Sequence, residues 1–136
     1  MRNLTIFNQC IWLILFFLSN THAQSAIDDV VLRSALKQAE GNLKKQLPVK
    51  VDEITTLENV THAEKDLIFD YKIHRMYSLV QEKDFATSAK KMMTNHMCTT
   101  KMNEILKMGG AYNIRYKDAS NKPFANLRID RRNCDF

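Results

Sequence analysis

The sequence predicts an α+β fold: an antiparallel sheet of about four strands, helices on one face, and one disulfide. Three observations predict it. The 136 residues are 45% hydrophobic and 26% charged, with only three Gly and two Pro. That usage suits one globular domain and excludes disordered, collagen-like and Gly-rich architectures. Apolar periodicity then runs helix, two strands, two helices, two strands, and elements segregated this way pack as helices over one face of an antiparallel sheet. Finally, two cysteines remain once an N-terminal export segment is set aside.

Residues 1–23 read as a secretory signal, and residues 24–136 as the single α+β domain. Arg2 supplies a positive start, Cys10 to Leu18 form an uncharged apolar run, and Thr21-His22-Ala23 supply small residues for cleavage before Gln24. A retained anchor would need roughly 20 apolar residues, and this run is about half that. A lipid-attachment Cys would follow the apolar run, whereas Cys10 opens it. No second long apolar run follows, so the mature chain is expected to keep no stable membrane anchor and to reside in the periplasm or be secreted. Cleavage removes the only Trp and one of the three Cys. An even pair, Cys98 and Cys134, in an exported chain favours a disulfide. Two free thiols are the alternative. A zinc site has less to recommend it, since there is no Cys-x-x-Cys and His62, His74 and His96 show no ligand spacing.

The first helix is expected from Ala26 to Gln46. Ile27, Val31, Ala35, Ala39, Leu43 and Leu47 recur every four residues, Asp28 and Asp29 suit its positive N-terminal end, and Pro48 forbids continuation. Val49 to Thr61 is rich in Val, Ile and Thr and reads as one strand, with a turn at His62-Ala63-Glu64-Lys65. Leu67, Phe69, Tyr71 and Ile73 then alternate with Ile68, Asp70, Lys72 and His74, a period-two pattern with one apolar and one mostly polar face.

A second helix is expected from an Asp84 cap to His96, with Phe85, Ala89, Met92, Met93 and Met97 as its stripe. Thr99 or Thr100 caps a short third helix that ends at Gly109-Gly110, where glycine tolerates a left-handed conformation. Tyr112, Ile114 and Tyr116 alternate with Asn113, Arg115 and Lys117. A turn at Asp118–Lys122 leads into the last strand, Phe124 to Arg131, with Ala125, Leu127 and Ile129 on one side. A Cys98–Cys134 bridge would pin that strand to the helix pair.

Catalysis finds no motif. There is no Gly-x-Ser-x-Gly, His-Glu-x-x-His, P-loop or Gly-x-Gly-x-x-Gly. Asp66 and Asp70 share the solvated strand face, and His74 lies on it too. The chain therefore reads as a non-enzyme with no cofactor and no metal. Its net charge of +5 raises the question of acidic partners. Arg115, Lys117, Arg128, Arg131 and Arg132 cluster in the last hairpin and its exit, and Asp70, Asp118 and Asp130 dilute them. Nucleic-acid binding adds exposed aromatics for stacking. Tyr112 and Tyr116 alternate with the basic residues and so face the core, and no nucleic-acid partner is expected.

Several segments carry a family likeness. They are Leu47-Pro48-Val49-Lys50-Val51-Asp52, Met97-Cys98, Ile105-Leu106-Lys107-Met108-Gly109-Gly110-Ala111-Tyr112-Asn113-Ile114, and Leu127-Arg128-Ile129-Asp130 leading to Cys134. Together they resemble the small disulfide-bonded α/β pilotins of type II secretion systems found in vibrios and enterotoxigenic E. coli. The shared pattern is a helix ending in Leu-Pro, a Cys before a short helix, a Gly-containing exit into a strand, and a terminal Cys. The resemblance implies a sheet flanked by helices, a Cys98–Cys134 disulfide, and a groove for a short C-terminal segment of a secretin. Those pilotins are lipoproteins, whereas this chain has no lipid-attachment Cys at its signal end.

The leading expectation is a pilotin-like, non-enzymatic periplasmic accessory protein that binds a protein or peptide partner. A groove beside the Met-rich helix would hold it, lined by Met92, Met93 and Met97. The alternatives are a periplasmic inhibitor or immunity protein acting through the Arg115, Lys117 and Arg128 face, and a secreted factor or effector.

Overall fold

The computed structural model describes residues 20–136, with side chains from Ala26 onward. The expected signal, residues 1–23, lies outside the described residues up to position 19, and the backbone of 20–23 is helical. The chain divides into two units at Val31/Leu32. Of the first, the N-terminal half of helix α1 (Asn20–Lys44) is described, with Ile27, Val30 and Val31 exposed.

The second unit is an α+β domain built on a five-stranded sheet in sequence order. Its strands are β1 (Val49–Lys50), β2 (Thr55–Ala63), β3 (Asp66–Ile73), β4 (Ala111–Lys117) and β5 (Pro123–Asp130). Helices α2 (Leu79–Thr99) and α3 (Asn103–Lys107) connect β3 to β4. A short 3₁₀ turn, Arg131–Asn133, follows β5, and Cys134 comes next.

The α+β class, the single disulfide and the one-sided helical cover are as expected, but the sheet corrects the expectation twice. Its central pair, β3 and β4, runs parallel, from Asp66↔Ala111 to Lys72↔Lys117. A helical crossover returns the chain to the end of the sheet where β3 began, so the next strand must run the same way. The strand count is five because the stretch read as one strand breaks at Val51–Ile54. The Ile54 N–H donates to Asp52 at 2.8 Å, and the Val51 N–H donates to the Thr55 carbonyl at 2.9 Å. An Asp side chain that captures a backbone N–H two residues on makes a turn of a segment whose propensity is β. The strand after it runs to Ala63, with Glu64 in the left-handed region.

One sheet face carries the core. Leu67, Phe69, Tyr71 and Ile73 of β3, Tyr112, Ile114 and Tyr116 of β4, and Leu127 and Ile129 of β5 are all buried. On β2 the buried apolar residues are Leu57 and Val60, three apart instead of two. A bulge between Leu57 and Asn59 inserts the extra residue and resets the alternation. Leu32 and Leu36 of α1, Ala89 and Met97 of α2, and Ile105 and Leu106 of α3 cover this face. Gly109 takes the left-handed conformation that ends α3, and Gly110 packs so closely on Ile105 that an added Cβ would meet its Cγ2 at 2.7 Å.

Two helices differ from their expected form. On α1 the inward residues are Leu32, Leu36, Ala39 and Leu43, not the every-four series through Ile27 and Val31. Steps of four overshoot a 3.6-residue turn and drift around the helix, whereas alternating steps of four and three hold one face. Helix α2 starts five residues before Asp84, at a capping box. The Gln81 N–H donates to the Ser78 hydroxyl, and the Ser78 N–H donates to the Gln81 side chain at 2.9 Å. The short α3 has Met102, not Thr99 or Thr100, as its N-cap, and the Thr100 hydroxyl accepts from the Met102 N–H at 3.3 Å.

Side-chain ties fix the ends of these elements. Asp118, 1% exposed, accepts from the Ser120 N–H and hydroxyl and from the Lys122 N–H, which organises the β4–β5 turn. It therefore lies in the turn's interior and not on the basic patch. Glu40 joins α1 to β2, accepting from the His62 backbone N–H at 3.1 Å and pairing with the His62 ring and Lys44. The disulfide joins Cys98, near the end of α2, to Cys134, with Cα atoms 5.5 Å apart.

Replacing both cysteines with alanine should cost about 4 kcal/mol, since the bridge closes a 36-residue separation. The urea midpoint under non-reducing conditions will measure it. A second expectation concerns acid. The Lys44 and His62 hydrogen bonds hold the Glu40 carboxyl down at about 2 against an ordinary value of 4.5. The folded state then binds fewer protons than the unfolded state, so this contribution is complete above the ordinary value and is lost as pH falls through the lowered one. Glu40→Gln should lower the urea midpoint at about pH 6 and approach wild type near pH 2.

Candidate functional site

The side chains of α2 packed against the core are Phe85, Ala86, Ala89, Met93 and Met97. Beside this row runs a second one through Ser88 and Met92. Strand β1 has only two residues and gives way to the turn at Asp52. The result is a groove of about 200 Å³ between α2 and the β1–β2 turn. Val51, Asp52 and Thr55 form one wall, and Ser88, Met92 and Met93 form the other.

Aromatic packing makes the floor. Tyr71 of β3 and Tyr116 of β4 are register partners, and their rings stack at 5.2 Å. Phe85 meets Tyr116 edge-on at 4.9 Å, and Phe124 meets Phe85 at 5.3 Å. Such contacts add to the area that aromatic rings bury and hold the floor rigid. Burial pushes the Tyr71 and Tyr116 phenols above their ordinary range, and for Tyr116 neighbouring Tyr71 and Asp52 add to it. Both hydroxyls stay protonated at neutral pH. Asp52 is shifted the other way, held below the usual carboxylate range chiefly by the Ile54 N–H. The groove thus presents apolar walls, two phenols and one ionised carboxylate.

The structure distributes the sequence-derived residues over three places. Met92 is 61% exposed on the groove wall, and Met93 is partly buried beside it. Met97 is 2% exposed and belongs to the core, one turn below. Arg115, Lys117 and Arg128 lie together on the opposite sheet face. Each has an acidic partner: Arg115 grips Asp70 with two bonds of 2.6 and 2.9 Å, Lys117 meets Glu58 at 2.6 Å, and Arg128 pairs with Asp66. Cys98 and Cys134 form the disulfide. Sequence reasoning did not find Val51, Asp52 and Thr55. Asp52, a turn former inside a β-prone run, was their available signal. Among the described residues, no group of three or more His, Cys, Asp and Glu is placed to hold a metal ion, and no helix is long and apolar enough to cross a membrane.

No protein-family profile matches the chain, and no curated protein matches it by sequence. Solved structures do match. The pilotin EpsS of the Vibrio vulnificus type 2 secretion system superposes with a TM-score of 0.63 at 11% identity, over 80% of this chain and 96% of that one. The type II secretion pilotin AspS of Vibrio cholerae gives 0.64 at 12% identity, over 80% and 97%. The fold is pilotin-like. A candidate secreted protein of Pseudomonas aeruginosa shares it too, with a TM-score of 0.68 at 17% identity over 78% of this chain and 95% of that one. The pilotin-like fold accounts for the helix order, the sheet and nearly the full length of each counterpart.

The two rows of α2 should respond differently to truncation. Phe85→Ala removes the ring at the centre of the aromatic cluster and should cost about 3–4 kcal/mol. Met92→Ala, on the exposed wall, should stay within about 0.5 kcal/mol of wild type. Urea unfolding of the two variants checks both values.

Proposed function

We propose that this protein is a non-enzymatic, pilotin-like accessory protein that binds a peptide segment of a secretion-apparatus component in the groove between α2 and the β1–β2 turn. The observation that carries the proposal is the pairing of an apolar, aromatic-floored groove with exposed methionine on its wall in a pilotin-like fold. Exposed large apolar side chains beside a concavity mark interaction sites. Methionine suits them because its unbranched thioether adapts to different occupants. The occupant we favour is an amphipathic C-terminal segment of a secretin, laid with its apolar side chains toward Tyr71 and Tyr116. A periplasmic or secreted location fits the disulfide and the secretion-system proteins that share the fold.

The opposite sheet face suits an acidic partner less well. Arg115, Lys117 and Arg128 are already paired with Asp70, Glu58 and Asp66. An inhibitor that used this face would first have to break these pairs.

Fluorescence anisotropy with a labelled peptide from the cognate secretin's C-terminus tests the proposal. Met92→Lys, at an exposed position, should weaken binding at least about tenfold without changing the melting transition, because it sets a charge on an apolar wall. Arg115→Glu should leave binding unchanged. Loss of binding in Arg115→Glu with full binding in Met92→Lys would reject the groove and transfer the site to the outer sheet face.

A further inference from the structure

We infer that the groove selects an occupant whose apolar stem ends in a positive charge, a lysine or arginine of the partner segment reaching toward Asp52. The inference rests on the groove reading above and goes beyond it by fixing the chemistry of the anchor. Three features converge on it.

The first is charge. The chain as a whole carries +5, yet no residue lining the groove is basic, and Asp52 is the one charged residue among them. The carboxylate accepts from the Ile54 N–H at 2.8 Å and from both the side chain and the backbone N–H of Thr55. A carboxylate has about four lone-pair sites, so capacity remains for a donor from outside. Lys50 is the cation acting on it, and its effect is the smallest of the contributions.

The second feature is the lining. Tyr71, Phe85 and Tyr116 present aromatic rings to the cavity, and Met92 and Met93 present thioethers. Aromatic walls attract cations through the ring quadrupole while accepting an apolar stem, and lysine and arginine carry such stems. A carboxylate on one wall with aromatic rings beneath is a setting for an organic cation.

The third is the floor's unused hydrogen-bonding capacity. Among the described residues neither the Tyr71 nor the Tyr116 hydroxyl has a hydrogen-bond partner, and both remain protonated at neutral pH. Each phenol oxygen can accept from an ammonium or guanidinium N–H. The cavity, about 200 Å³, has room for one such side chain.

The experiment titrates oxidised protein bearing ¹³C-methyl methionine with three small probes that share a phenylethyl body: phenethylammonium, 2-phenylethanol and phenylacetate. All three report on Met92 and Met93 methyl shifts. Phenethylammonium should bind about fivefold or more tightly than phenylacetate, the size of one solvent-screened charge pair at contact distance. Asp52→Asn, which keeps an acceptor for the Ile54 N–H, should erase that preference. Equal binding of the cation and the anion, or a preference that survives Asp52→Asn, would overturn the inference and leave the groove standing. Failure of all three probes to move the Met92 and Met93 signals would overturn the groove reading itself.

Discussion

The parallel pairing of β3 with β4 is the constraint on which the rest of the structure depends. Its register sets Tyr71 beside Tyr116 and Asp70 beside Arg115. On one face this stacks two phenol rings as the floor of the groove. On the other it closes a two-bond Arg–Asp pair. A slip of β4 by one residue would send Tyr116 outward and Arg115 into the core, so burial of one face fixes the register of the other. The pairing in turn needs α2 and α3 to cross between the strands. The disulfide holds the end of α2, partway along that crossover, against the exit of β5.

The outer face shows how a basic chain can be locally neutral. Lys117, Arg115 and Arg128 stand across the sheet in reach of Glu58, Asp70 and Asp66. Exposed ion pairs of this kind add little stability, typically under about 1 kcal/mol each. Their consequence is instead for recognition. They leave this face without the single-signed field that would steer an acidic partner. The chain's net positive charge does not, then, identify its functional surface.

Much of the fold was legible in the sequence because it is encoded locally. The strict alternation from Leu67 to Ile73 could only be a half-buried strand, Tyr112, Ile114 and Tyr116 had to share its core face, and Gly109 had to close a helix. What was not legible depends on distant partners or on a single side chain. Asp52 breaks a β-prone run by capturing one N–H, and nothing in composition ranks that above the propensity of Val, Ile and Thr. Ser78 and Gln81 form a readable capping signature, but Asp84 offered a competing one. The parallel strand direction follows from where the crossover ends, which periodicity cannot report. The site divided in the same way. The Met stripe marks α2 as one wall of the groove, yet periodicity does not say that Met97 is buried in the core while Met92 is exposed beside Val51 and Asp52.

This division bears on how one fold can persist at 11–17% identity. The core asks for apolar side chains on one face of each strand, and many sequences satisfy that without sharing residues. The groove is bounded on one side by a turn whose geometry needs only an acceptor at Asp52, and on the other by the second row of α2, which the core does not constrain. Both walls can therefore change residue by residue while the floor, tied to the β3–β4 register, stays fixed. In this chain the groove sets a carboxylate and two phenols among apolar side chains, which distinguishes it from a general hydrophobic cleft.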